Sequence, residues 1–581
     1  MQSTGHSSRH DLSFTSTQGS AITYVTKIPP KDLRTVGGNS NPARAPLHDY
    51  GLRMAAMSLR TQISLALGKR VTIRLANSDG TYSDIVGVLQ SETSLINRRS
   101  ETIHFNPNDV AAFRVIPVFN RRDNSSGRLS IYDTMTRKVQ SIEGRDGAIT
   151  MYCCGPTVYR DAHVGNLRTF LLADLISRTI QLTGVEVRLI QNITDVGHMS
   201  DDFEGHDKLL QESEKTQTDP FEIARTFESH FHTDTALLNI IPADAYPRAS
   251  ETMPEMITSI TKLIEGKHAY VGTDGSVYFD ATSFPTYGAL SGNRLDALKP
   301  GHRYEFTDEG GKRFHADWAL WKLAGARAQM IWDSPWGSGF PGWHIECTAM
   351  SIDLLDAHVD LHVGGIDLRF PHHENERAQS NSLTGNETVT TWVHGEHLLF
   401  EGRKMSKSAG NVVLLSDIIA RGLDPLALRF TFLENRYRSQ MDLSWASLEA
   451  AHSTLKRWRK LLANSGTGSD IKFDQEMSDA FTTDLDTPRA MQRLRTIEKD
   501  LTIGALDKRA LFLFADQVLG LDLDRIVKEE PITPELQDLI TKRAQARADK
   551  DWASSDALRD QLDAAGIEVQ DAADGQSWRW K

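Results

Sequence analysis

The chain has 581 residues, 39% of them hydrophobic and 24% charged. That length suits three or four domains of roughly 150 residues, and the balance excludes a coiled-coil rod or a largely disordered chain. A formal charge of −12 argues against non-specific coating of nucleic acid, while leaving room for a local basic groove. No apolar run approaches the ~20 residues of a membrane span, and no compact apolar core marks a signal peptide. A cytoplasmic protein is expected. The three cysteines, Cys153, Cys154 and Cys347, are too few for a disulfide framework, which directs attention to metal binding or catalysis.

Residues 1–46, rich in Ser, Thr, Gly and Asn, read as a disordered tail. Met54, Met57, Leu59, Ile63, Leu65 and Leu67 fit one amphipathic helix. Short β-rich runs follow at Val71–Ala76, Ile85–Leu89, Thr102–Phe105 and Val110–Val118, and predict a small β-barrel (SH3-like) module over residues 47–120. Residues 121–128 read as a linker. The character then changes. A strand at Ala148–Cys153, a helix from about Asn166 to Thr183 and a strand at Val185–Ile190 form a βαβ unit, so residues 129–423 predict an α/β, Rossmann-like domain with an insertion around 200–330. Ligands of such sheets bind beyond the carboxyl ends of the strands. Residues 424–530 read as a helical bundle, and 531–581 as a C-terminal region; Leu448–Leu462 and Pro534–Ala564 are long amphipathic stretches.

Three constellations carry chemistry. His163-Val164-Gly165-Asn166 lies between a strand and a helix, where free N–H groups and the helix dipole favour phosphate oxygens and Gly165 admits a ligand to the backbone. In Lys404-Met405-Ser406-Lys407-Ser408, two mobile cations three residues apart can meet the charge of a departing pyrophosphate. Cys154, Cys347, His372 and Glu376 supply two thiolates, an imidazole and a carboxylate, a plausible tetrahedral zinc set. Each has a plainer reading on its own: a helix-capping turn, a solvated basic loop, and buried core residues. Neighbours in a strand face opposite ways, so Cys153 is assigned to packing. His373, beside His372, is expected to face elsewhere, and His344 to be structural or near the pocket.

The first two constellations, in this order, resemble the paired signatures of class I aminoacyl-tRNA synthetases. Further strings narrow the resemblance: Met151-Tyr152-Cys153-Cys154-Gly155-Pro156-Thr157-Val158-Tyr159, Gln191-Asn192-Ile193-Thr194-Asp195, Pro341-Gly342-Trp343-His344-Ile345-Glu346-Cys347, and Gly364-Gly365-Ile366-Asp367 through Pro371-His372-His373-Glu374-Asn375-Glu376. From about Leu129 to the C-terminus these resemble the cysteine–tRNA ligase family. The resemblance implies ATP-dependent activation of L-cysteine and its transfer to tRNA(Cys), by a class I Rossmann-like catalytic domain with a C-terminal helical bundle. It implies one Zn²⁺ per chain on Cys154, Cys347, His372 and Glu376, and Mg²⁺ with ATP. His163, Asn166, Lys404 and Lys407 would be catalytic. His163, Gly165, Asn166, Gly365, Asp367 and Lys407 would hold ATP, and Thr194 and Trp343 the amino acid. The C-terminal region 531–581 would bind tRNA and its anticodon, and the chain would act as a monomer. A metal that prefers thiolate to alcohol separates cysteine from serine where an apolar pocket could not.

Three departures stand out. Asn166 ends the first signature where His is usual, Val363 replaces one glycine of a triple, and Val196-Gly197-His198-Met199 follows Thr194-Asp195. Basic clusters at Lys456-Arg457-Trp458-Arg459-Lys460 and at Lys542, Arg543, Arg547 and Lys550, with Trp578-Arg579-Trp580-Lys581, are candidate RNA contacts. An alternative is the cysteine:glucosaminyl-inositol ligase of mycothiol synthesis, which shares the zinc site and both signatures but lacks an anticodon-binding region. A paralogue acting as a binding or regulatory protein is a third, against which the intact zinc ligands and lysines speak.

Overall fold

The computed structural model describes residues 67–76, 82–97, 101–115, 128–144, 148–196, 207–298, 311–325, 327–405, 410–466, 470–525, 533–572 and 575–580, with short pieces at 12–13, 25–26 and 63. The predicted tail, most of the predicted helix around 54–67, the segment holding His198, and Lys407 lie outside the described residues. The chain divides into two compact units, Met1–Arg525 and Ile526–Lys581.

Near the N-terminus, five antiparallel strands form one sheet, in the order Thr102–His104, Ser94–Ile96, Tyr82–Ser91, Arg70–Ala76 and Val110–Val115. Val71, Ile73, Leu89, Leu95, Phe105 and Val110 pack together as its core.

The central sheet has four parallel strands: β1 (Ala148–Cys153), β2 (Glu186–Gln191), β3 (Val359–Gly365) and β4 (Val389–Gly395), in the order β2-β1-β3-β4. Helix α1 (Val164–Leu182) is the crossover from β1 to β2. Every residue of β3 is buried, as expected of a parallel strand covered on both faces. Met151, Cys153, Leu361, Val363 and Val393 belong to one hydrophobic cluster. Tyr152, Cys154 and Trp392 belong to a second. The alternation of each strand thus divides two cores.

Between β2 and β3 come helices Lys208–Thr216, Pro220–Leu237 and Met253–Glu265, then a four-stranded antiparallel sheet. Helix α2 (Trp343–Leu354) leads from that sheet back to β3, and α3 (His372–Thr384) links β3 to β4. After β4 the chain is mainly helical, with its longest helix at Trp445–Asn464. This helical region is tied to α1 by a buried ion cluster: Asp174 lies 2.9 Å from Arg178 and 2.6 Å from Arg429. Arg429 also donates to the carbonyl of Leu238, at 2.9 Å.

In the second unit the amphipathic stretch read as one is two helices, Pro534–Ala548 and Trp552–Ala564. Lys550 takes a left-handed backbone, φ 60°, and the Asp551 carboxylate caps the next helix by accepting from the Ser554 N–H. A hairpin, Ile567–Ala572 with Gly575–Trp580, completes the unit over Ile540, Leu562, Ile567 and Val569. Among the described residues no helix is long and apolar enough to cross a membrane.

Candidate functional site

Cys154 sits just past the end of β1, its N–H donating to the Val363 carbonyl at 3.1 Å. Cys347 projects from the second turn of α2, and His372 and Glu376 from one face of α3, one turn apart. One ligand atom from each of these four buried residues lies within 4.8 Å of all the others. The His372 Nε2 to Glu376 Oε1 distance is 2.8 Å, and the Cys154 Sγ to Glu376 Oε1 distance is 3.7 Å. Cys153 is in no such set. It faces the other core, its Sγ donating to the Cys154 carbonyl at 3.5 Å.

His373 departs from the expectation that it faces elsewhere. Its Nε2 is 3.3 Å from Cys154 Sγ, and with His362 it forms a second donor set, Cys154, His362, His373 and Glu376. Adjacent residues of a helix are about 100° apart rather than opposed as in a strand. Two histidines can therefore flank one centre. His372 turns toward α2, its ring stacked on Trp343 at 4.0 Å and its Nδ1 2.9 Å from that of His344. His373 turns toward the sheet, 2.8 Å from His394 Nε2. The histidines on β3 and β4, His362 and His394, carry a sequence signal of their own: an imidazole near the end of a short β-rich run.

The electrostatics suit a cation. Burial lowers the His372 imidazole to about 3, His362 to about 4 and His394 to about 3, so these rings are neutral and their lone pairs available. Burial pushes the Glu376 carboxyl up to about 7 and the Cys154 thiol well above its usual range. The Cys154 hydrogen bond draws the Cys347 thiol down, but burial beside Glu376 leaves it raised. Two thiols, an imidazole and a carboxyl, buried and reluctant to ionise alone, match the donor types of a tetrahedral zinc site.

The first signature opens α1. His163 is the N-cap: its Nδ1 accepts from the Asn166 N–H at 3.2 Å, and Asn166 Oδ1 accepts from the His163 N–H at 3.2 Å. This reciprocal box leaves the His163 proton on Nε2. Burial, aided by Arg160, lowers the imidazole's pKa, so the ring is a neutral donor. The second signature lies alongside. Val164 donates to the Val413 carbonyl at 3.0 Å, and a Cβ on Gly165 would meet the Met405 methyl at 3.1 Å. Lys404 is exposed, its carbonyl accepting from Asn411 Nδ2 at 3.1 Å. Beyond β3, exposed Asp367 reaches back over Gly365, where a Cβ would collide with its carboxylate and come 3.5 Å from Thr169 Oγ1 of α1. Val363 is fully buried on the Cys153 side of the sheet, so this departure lies in the core. Thr194 is buried beyond β2, bridged to Thr157, and Asn192 Nδ2 donates to its hydroxyl at 3.1 Å. Asp195 anchors the insertion instead, 3.0 Å from Arg225 and 2.6 Å from the Ser250 hydroxyl.

Two family models match the chain: the class I (C) tRNA synthetase catalytic domain over residues 140–453, and the cysteinyl-tRNA ligase anticodon binding domain over residues 530–579. The chain belongs to the cysteine–tRNA ligase family. It is 39% identical over 480 residues to a cysteine–tRNA ligase of Thermus thermophilus, covering 78% of this chain and 99% of that one. It is 40% identical over 462 residues to cysteine–tRNA ligase 1 of Burkholderia lata, covering 77% and 96%. A cysteine–tRNA ligase of Chlamydia felis is 37% identical over 477 residues, covering 78% and 98%.

In this ligase-family chain the basic clusters divide. Trp458 and Arg459 are buried, Arg459 bonding Asp424 at 2.5 Å, and Arg457 pairs with Glu498 at 2.6 Å. Helical periodicity turns these positions toward the bundle. Arg543 is likewise buried, 2.9 Å from Asp571. Trp552 and Trp578 are exposed, and the Arg547 guanidinium stands 5.6 Å from the Trp552 ring centre.

Proposed function

We infer that this chain activates L-cysteine with ATP and transfers the cysteinyl group to tRNA(Cys). The substrate carboxylate attacks the α-phosphorus, the bond to the β-phosphate oxygen breaks, and pyrophosphate leaves. A ribose hydroxyl at the tRNA 3′ end then attacks the acyl carbon and AMP departs. The observation that carries this reading is the buried Cys154, Cys347, His372 and Glu376 set at the carboxyl end of the sheet that feeds α1, in a chain of this family.

Cys154, Cys347, His372 and Glu376 would hold Zn²⁺, which supplies a soft acid that favours thiolate over a serine hydroxyl. His163 Nε2–H and the N-terminus of α1 bind phosphate oxygens. Asn166 fixes the His163 tautomer and keeps an amide donor of its own. Lys404 and Lys407 take up charge on the departing pyrophosphate, and Mg²⁺ accompanies ATP. Gly165, Gly365 and Asp367 border the nucleoside, while Trp343 and Thr194 border the amino acid. The ligase of mycothiol synthesis is not favoured, because the anticodon binding domain is matched over residues 530–579. We propose further that the protein works as a cytoplasmic monomer.

Cysteine-dependent ATP–pyrophosphate exchange and charging of tRNA(Cys) test the reading. Exchange that serine supports as well as cysteine, or no exchange, would overturn it.

A further inference from the structure

A buried carboxylate without a partner is rare in a folded protein. Glu346 comes close to being one: it is 1% exposed, neither of its oxygens has a partner in good hydrogen-bond geometry, and the Thr194 side chain is the one neutral polar group beside it among the described residues. It lies on α2 immediately before Cys347 and three residues after Trp343, the two residues of that helix that border the donor set. The polar groups around it are of the wrong kind to balance it. The Thr194 side chain eases its burial, whereas Asp195 and Asp207 bring like charge. The nearby guanidiniums are already spoken for, Arg225 by Asp195 and Arg327 by Asp207. A carboxyl in such surroundings ionises only beside a cation brought from outside.

Resting on the functional reading above, the substrate brings one. In cysteine only two carbons separate the sulfur from the amino nitrogen. A sulfur held at Cys154 and Cys347 therefore leaves the ammonium within reach of the residue that precedes Cys347 on α2. We propose that Glu346 receives the α-ammonium of the amino acid, and that Thr194 closes the other side of that subsite. Glu346 then reads the α-amino group, while the donor set reads the sulfur. A thiol lacking the ammonium would bind without its help.

The test is equilibrium binding of three thiols to the full-length, metal-loaded protein and to Glu346→Gln: L-cysteine, cysteamine, and 3-mercaptopropionate, which has no amino group. Calorimetry reads affinity, and metal analysis checks that the centre is intact. The expected result is that Glu346→Gln weakens cysteine and cysteamine by about 30-fold, the scale of losing one partner of a buried charge pair, and leaves 3-mercaptopropionate and the metal content unchanged. Equal weakening of all three thiols would assign Glu346 a purely structural part and overturn the proposal, as would no change in any of them. The unmodified protein gives a second arm that needs no variant. It must prefer cysteine to 3-mercaptopropionate, and equal affinity overturns the proposal even if Glu346→Gln fails to fold. If the unmodified protein binds none of the three, the functional reading itself falls and this subsite with it.

Discussion

Cys154 and Cys153 differ by one position and occupy separate cores, so their substitution should have separate consequences. Cys347→Ala and Cys154→Ala are expected to lose bound metal and cysteine affinity together, as measured by metal analysis and calorimetry. Cys153→Ala should keep both, at a cost of about 1 kcal/mol in denaturant unfolding. Gly155 is a sterner case. A Cβ there would fall on the Asn192 carbonyl, and its N–H already donates to Asn192 Oδ1 at 2.8 Å. Gly155→Ala should therefore destabilise the protein by about 2–4 kcal/mol and raise the cysteine KM, because the loop that ends in Thr194 must move. Strand alternation made the Cys153 and Cys154 assignment legible in the sequence. The same thinking failed for His373, which lies on a helix. Glu346 and Asp195 were hidden for another reason: whether an acidic residue is buried depends on what the distant insertion packs against it.

At the scale of elements, apolar runs located the βαβ unit to within two residues at each boundary, since α1 and the flanking strands bury most of their length. Elements defined by local backbone were harder to read. The three-residue strand Ser94–Ile96 is too short to show a period, and the break at Lys550 interrupts a polar run whose composition suits a helix. The helices after β4 are held by buried charge as well as by apolar packing. Burial raises the Asp424 carboxyl, but Arg459 and Arg525 outweigh it and hold the group well below the usual carboxylate range. A native pKa below the unfolded one gives stability that is complete above the unfolded value and fades as the pH falls. Urea unfolding should show the parent protein losing stability from about pH 5 to pH 3, with Asp424→Asn less stable at neutral pH and flatter across that window. Arg429→Met, which strands Asp174 near Arg178 alone, should cost about 3 kcal/mol and lower the temperature midpoint without altering metal content.

For the whole molecule, the division at Arg525 and Ile526 gives a place at which the two steps of the proposed reaction can be tested apart. A chain ending at Arg525 is expected to retain cysteine-dependent pyrophosphate exchange while losing most charging of tRNA(Cys), read as a fall in kcat/KM for tRNA alone. Removing residues 1–128 should leave exchange intact, because the matched catalytic domain begins at residue 140; measuring charging by the same shortened chain then shows whether the five-stranded sheet serves the RNA step. The donor set has one more consequence, for the order in which the chain folds. Cys154 and Glu376 are 222 residues apart, and Cys347 arrives only after the whole insertion has been threaded between β2 and β3. Closing so long a loop costs entropy that local contacts cannot offset early. Metal uptake by the full set is therefore expected only after β3 has joined β1: a nascent chain that has not yet reached α2 offers the adjacent Cys153 and Cys154 alone, and should hold an ion less tightly than the folded protein.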